Sequence, residues 1–192
     1  MARPLAFDPE EKLQQAMKLF WQKGYANTSI TDITDTLGIN RFSLYNTFGD
    51  KDALYSAALE HYFQKVFLPL LAPLEGELNG LAAIDAYLEN FAVRLQTPFA
   101  AHGCLMQESA IATNGLDEKI RQQALQNFMK LRDKLRQQFL LAKKKGEINA
   151  EVDDCLNFTL MNIQALIITR KIAGNKLMLQ NMAFLRRQIQ NW

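Results

Sequence analysis

The residues best equipped for chemistry lie close together in "NRFSLYNTFGDK", Asn40 to Lys51. Arg41, Ser43, Tyr45 and Asn46 bring a guanidinium fork, two hydroxyls and a carboxamide into one short segment. These groups donate and accept hydrogen bonds, but none is a ready general base or a metal ligand. They suit phosphate oxygens and base edges: arginine can pair bidentately with guanine O6 and N7, and hydroxyls reach phosphates. Catalytic constellations are missing by comparison. There is no glycine-rich loop to cradle a phosphate and no metal-ligand cluster, and His61 and His102 are too far apart to form a local pair. Only Glu108 near His102 and Cys104 imitates a nucleophile site. No enzymatic activity, cofactor or metal is expected.

The elements that must carry this segment are helical. Leu13, Ala16, Met17 and Phe20 recur at helical spacing, with Asp8 to cap the first turn, Pro9 at its first position and Gly24 past its end. Ser29 and Asp32 form a capping box before Ile30, Ile33 and Leu37, and Gly38 stops that second helix. Asn40 caps a third, short helix from Arg41 to about Thr47, with Leu44 and Phe48 inward, and Asp50 caps a fourth. Two short helices joined by a tight glycine turn and braced by a preceding helix make a helix-turn-helix. The second helix of such a unit presents its first residues to base edges in the major groove.

Pro69, Pro73 and Gly76 break the fourth helix, and Asn79-Gly80 opens a run to about Thr97. After Pro98, His102 and Gly103 come a short helix from Cys104 to about Thr113 and a long one from Asp117 to Lys145. Two more follow, Val152 to Ala173 and Lys176 to Ile189, split at Gly174-Asn175. The fold class is all-α: an N-terminal three-helix helix-turn-helix domain, residues 1–50, and a C-terminal helical bundle, residues 51–192.

Composition narrows the class. With 192 residues, 48% hydrophobic and 22% charged, the chain has the balance of a globular protein with a real core. MARPLAFDPEEK has no apolar stretch, so no secretory leader and a cytoplasmic location are expected. The most apolar segment, Leu156 to Ala173, is interrupted by Asn157, Asn162, Gln164, Thr169, Arg170 and Lys171, so no membrane span is expected. Cys104 and Cys155 read as free thiols. From Met1 to Lys51, Arg3, Lys12, Lys18, Lys23, Arg41 and Lys51 are balanced by Asp8, Glu10, Glu11, Asp32, Asp35 and Asp50. A dimer using hydrogen bonds and helix dipoles on a defined half-site fits that balance better than a general polyanion binder.

Gly24-Tyr25, Thr28-Ser29, Ile33, Gly38-Ile39, Ser43-Leu44-Tyr45, Phe48-Gly49-Asp50-Lys51 and Ala53-Leu54 together resemble the N-terminal domain of TetR-family transcriptional regulators, from about Leu13 to Leu59. Phe42 stands where that family often has a small residue and Asn46 where histidine is common. The resemblance implies a DNA-binding set of Thr28, Ser29, Arg41, Phe42, Ser43, Tyr45, Asn46 and Lys51. Arg41 would take a base edge or a phosphate, Tyr45 a phosphate or a place in the helix core, and Lys51 with the following amides a phosphate. It also implies that residues 51–192 are an effector-binding and dimerisation domain, a homodimer on a palindromic operator in double-stranded DNA, and a repressor as the family default.

The later helices suggest how it would be released. Phe91, Leu95, Phe99, Met106, Phe128, Leu131, Met161 and Gln164 can wall a pocket for a small apolar inducer, or be plain core. Cys104 opens a short helix beside His102, where a thiol can become reactive toward an electrophile or oxidant, or can simply pack. "GCLM" resembles an element in a branch of the family whose members respond to such agents. The apolar circumference from Leu156 to Ile172 exceeds one core-facing side, so Leu156, Leu160, Ile163 and Ile167 with Met178, Met182 and Leu185 are expected at a dimer interface. A helical bundle that docks protein instead of DNA stays open, because helix-turn-helix geometry alone does not prove DNA binding.

Overall fold

The computed structural model describes residues 7–112 and 115–192, and among them no strand occurs. The expected helix end near Thr113 and the turn residue Asn114 lie outside those residues. No described helix is long and apolar enough to cross a membrane. The chain divides into two compact units, Met1–Val66 with Leu105–Leu125, and Phe67–Cys104 with Gln126–Trp192.

In the first unit, α1 (Pro9–Lys23) starts on the Asp8 carboxylate, which accepts from the Glu10 amide at 2.9 Å. Its inner face, Ala16, Met17, Phe20 and Trp21, packs on α4 (Lys51–Tyr62), with Phe20 edge-on to Tyr55 and Trp21 edge-on to Tyr62, each at 4.8 Å between ring centroids. Between them lie α2 (Ile30–Leu37), which buries Ile33 and Leu37, and α3 (Arg41–Phe48), which buries Leu44. α4 passes into a wider turn, Phe63–Phe67. α7 (Leu105–Ile111) closes on α4 through a buried polar pair. Ser109 donates its one hydroxyl hydrogen to the Leu105 carbonyl at 2.7 Å, so the Tyr55 phenol, 2.8 Å away, is the donor to Ser109. Burial pushes that phenol up to about 12, with the nearby Glu108 charge adding to it.

The caps follow from local sequence, and one of them titrates. Ser29 Oγ accepts from the Asp32 amide at 3.0 Å while an Asp32 oxygen accepts from the Ser29 amide at 2.9 Å. The Asp32 carboxyl is held well below the usual carboxylate range, first by Lys23 at 2.6 Å and then by Ser29. A carboxylate with a depressed folded-state pKa adds stability that is whole above its unfolded value, about 3.9, and is lost as pH falls from there. Asp32→Asn should therefore lower the melting temperature at neutral pH, and the deficit should narrow steadily below about pH 4 in circular-dichroism melts. A deficit independent of pH would exclude the carboxylate as its source.

In the second unit, α5 (Leu68–Leu70) and a 3-10 turn, Ala72–Leu74, lead to α6 (Leu81–Leu95), a second 3-10 turn, Pro98–His102, most of α8 (Glu118–Lys145) and α9 (Val152–Gln190). Buried Gln138 on α8 ties down the approach to α6, accepting from the Gly80 amide at 2.9 Å and donating to the Leu74 carbonyl at 2.8 Å. Arg186 of α9 forks onto both Asp85 oxygens of α6 at 2.6 and 2.7 Å, and Arg170 Nε donates to the Leu95 carbonyl at 2.9 Å, satisfying the end of α6. α9 is interrupted only at Gly174, whose φ of 79° and ψ of −172° only glycine adopts cheaply. The two helices expected at the C-terminus thus meet at one kinked residue, without a loop.

The compact units do not follow a boundary at residue 50. α4 buries Leu54, Tyr55, Ala58, Leu59 and Tyr62 and packs on α1, and the Tyr55–Ser109 bond brings α7 into the same unit.

Candidate nucleic-acid interface

The turn between α2 and α3 is made by Gly38 in the left-handed conformation, φ 62° and ψ 34°, where a side chain would be strained. Asn40 then caps α3 by accepting from the Ser43 amide at 2.8 Å. Leu44 is buried and anchors the helix, the expected inward Phe48 is half-buried like Ser43, and Arg41, Phe42, Tyr45 and Asn46 are exposed. Phe42 is 77% exposed and Tyr45 48%, values that side chains serving only the core would not have. Arg41 Nη2 rests 3.4 Å from Thr31 Oγ1 of α2, so its guanidinium leans along the face shared by both helices. The sequence reading did not single out Thr31; its place in the first turn of α2 was the available signal.

At the next helix start, the Asp50 carboxylate accepts from the Ala53 amide at 2.8 Å, so capping is its role. Lys51 Nζ sits 4.1 Å from the centroid of the Tyr25 ring, and burial lowers its pKa. The Tyr25 hydroxyl donates to Asp52, and its ring lies edge-on to Tyr55 at 5.0 Å. Burial, then the Asp52 hydrogen bond, push the Tyr25 phenol far above its ordinary value. Tyr25 and Asp52 are members of this cluster that sequence reasoning missed.

Two expected phosphate ligands are corrected. Thr28 is 1% exposed and its hydroxyl hydrogen goes to the Gly24 carbonyl at 2.7 Å, where it finishes α1. Ser29 spends its hydroxyl hydrogen on Asp32 at 2.8 Å, and its amide on the same carboxylate. A phosphate oxygen can only accept, so neither hydroxyl has a hydrogen left to offer it. Both residues shape the turn instead.

The residues expected around an effector separate. Phe91, Leu95 and Leu131 are buried in the second unit, with Phe99, Phe128 and Cys104 half-buried there. Phe91 lies parallel to Tyr87 at 6.0 Å, a buried tyrosine that the sequence reading passed over. Its phenol is pushed far up by burial and by the nearby Cys104. Met106 is buried but belongs to the first unit. Met161, 69% exposed, and Gln164 face outward on α9, so they are corrected from pocket wall to surface. Cys104 and Cys155 form no disulfide; Cys155 is buried, which pushes its thiol up.

The interface residues are corrected in the same way. Leu156, Leu160, Ile163, Met178, Met182 and Leu185 are all buried within the single chain, and Ile167 is half-buried. α9 packs against α6 and the Pro98–His102 turn. The apolar surplus is real but lies on the other side, at Met161, Ile168, Ile172 and Phe184.

Residues 13–58 match the family model described as bacterial regulatory proteins, tetR family, and residues 80–183 match that of the tetracyclin repressor-like C-terminal domain. The chain is 30% identical over 154 residues to the uncharacterized HTH-type transcriptional regulator YezE of Bacillus subtilis, covering 80% of this chain and 79% of that protein. It is also 30% identical to the HTH-type transcriptional repressor ComR of Escherichia coli, over 79% of this chain and 72% of the other. Among solved structures, a TetR transcriptional regulator from Chloroflexus aurantiacus superposes with a TM-score of 0.81 at 23% identity, covering 94% of this chain and 92% of that one. A cysteine mutant of the TetR family regulator CifR, complexed with 26 bp double-strand operator DNA, superposes with a TM-score of 0.77 at 21% identity over 99% of this chain and all of the other.

Proposed function

Because the chain belongs to the TetR family of bacterial regulatory proteins, and is a DNA-binding transcriptional regulator, we propose that it is a cytoplasmic homodimeric repressor of a palindromic operator. The observation that carries this is the outer face of α3, where Arg41, Phe42, Tyr45 and Asn46 stand in solvent while Leu44 is buried on the other side. Arg41 and Asn46 read base edges; Ser43, Tyr45 and Lys51 hold phosphates and so set the register. Two copies place the two recognition helices one helical turn apart, about 34 Å, on a two-fold site. Selection of bound fragments from the source genome by the purified, reduced protein, beside Arg41→Ala/Tyr45→Ala, tests this. A shared palindrome recovered by wild type and lost by the variant is expected; no enrichment at low salt sinks it and favours a bundle that docks protein.

Release follows a population shift. An inducer that prefers a state with mismatched helix spacing lowers operator affinity, and operator lowers inducer affinity by the same factor. The buried aromatic and aliphatic groups of the second unit, Phe91, Leu95 and Leu131 with Phe99 and Phe128 beside them, suit a small apolar inducer. Half-exposed Cys104 suits an electrophile or oxidant. Alkylation of Cys104, read against Cys104→Ser, is expected to weaken operator binding roughly 5–150-fold, the usual span of an allosteric coupling. Equal affinity before and after alkylation dismisses the thiol route.

A further inference from the structure

We infer that Tyr25 is a positioning residue for DNA binding, holding the Lys51 ammonium over its ring so that the charge meets a backbone phosphate already oriented. The inference rests on the operator-binding reading above. A free lysine keeps several rotamers, and ordering it on DNA costs part of what its charge contributes. Here the ordering is done beforehand: Lys51 Nζ stands 4.1 Å from the Tyr25 ring centroid. The ring itself is fixed twice, by its hydroxyl donating to Asp52 and by edge-on contact with Tyr55 at 5.0 Å. An aromatic face covers one side of an ammonium and leaves its other N–H groups to an acceptor. Lys51 is also the first residue of α4, and the start of a helix favours an anion. Partial desolvation of the ammonium fits this role, since a charge already stripped of some water gives up less when phosphate arrives.

The test uses full-length protein with a selected operator and titrates salt. Tyr25→Leu is expected to weaken binding roughly 2–5-fold at low salt, the equivalent of one exposed cation–π contact. It should also flatten the dependence of log affinity on log salt by about 0.9 per half-site, as loss of one phosphate contact does. Lys51→Ala should match that slope, and the double variant should match Lys51→Ala. Tyr25→Phe, which keeps the ring, should restore the wild-type slope. In case Tyr25→Leu folds poorly, a second reading needs only wild type and Tyr25→Phe: the Lys51 ε-methylene protons should resonate upfield, under the ring current, in both. An unchanged slope in Tyr25→Leu, tighter binding, additive losses in the double variant, or unshifted ε-methylene protons would each overturn the assignment. Absence of any specific complex with wild type would instead overturn the operator reading together with it.

Discussion

Arg41→Ala combined with Tyr45→Ala is expected to lower operator affinity roughly 70- to 25,000-fold per half-site, while the melting temperature stays near that of wild type. A bidentate arginine–guanine contact is worth about 1–3 kcal/mol of discrimination, and a hydrogen bond to a charged phosphate about 1.5–3 kcal/mol. Both side chains are exposed, and Arg41 makes only a long contact with Thr31, so truncation removes little that holds α3 in place. Exposed substitutions of this kind stay within about 0.5 kcal/mol in stability. The anchor is Leu44, which the double variant keeps. Electrophoretic mobility shifts with matched and scrambled operators separate the two roles. Loss confined to the matched site marks Arg41 as a base reader, whereas equal loss on both with a shallower salt slope marks it as a phosphate contact. Unchanged affinity for the matched site would remove α3 from the interface altogether.

Ile172→Asp should turn the dimer into a folded monomer, whereas Leu185→Ala should leave association intact and weaken the fold. Ile172 is 78% exposed on α9, alongside Met161 and Ile168, so a carboxylate there costs the isolated chain little. In a symmetric interface the same substitution buries an unpaired charge twice, and one such charge costs about 3–5 kcal/mol. A rise in the dimer dissociation constant of at least about 100-fold is then expected, read by sedimentation equilibrium. Leu185 is fully buried, and truncating a packed leucine costs about 2–5 kcal/mol of stability. Operator affinity should fall with Ile172→Asp even though no DNA-facing residue has changed, because half-site binding loses its partner. A dimer that survives Ile172→Asp would move the interface off this face of α9.

Helix ends were legible where the forces that make them act within a few residues. Asp8, Ser29 with Asp32, Asn40 and Asp50 each cap the helix that their spacing predicts, and Gly38 takes the left-handed conformation its position implies. The exposed face of α3 was legible too, because Leu44 and Phe48 share one side of a short helix and leave Arg41, Phe42, Tyr45 and Asn46 off it; Leu44 is buried and Phe48 half-buried.

What depended on distant partners was decided only by the tertiary structure. Thr28 looked like a phosphate ligand until the Gly24 carbonyl claimed its hydrogen, and Tyr25 gained its contacts only when folding set it under Lys51 and against Asp52. Along α9, apolar residues on nearly the whole circumference announced two buried sides without saying which belonged to which neighbour. The packing of the single chain settled it, taking Leu156, Ile163 and Leu185 inward and leaving Ile168 and Ile172 outside. The sequence alone thus determined an all-α regulator with an N-terminal helix-turn-helix, since capping and helical periodicity are local. Assigning each apolar or hydroxyl group to core, turn or partner required the fold, since burial is a property of what the rest of the chain brings alongside.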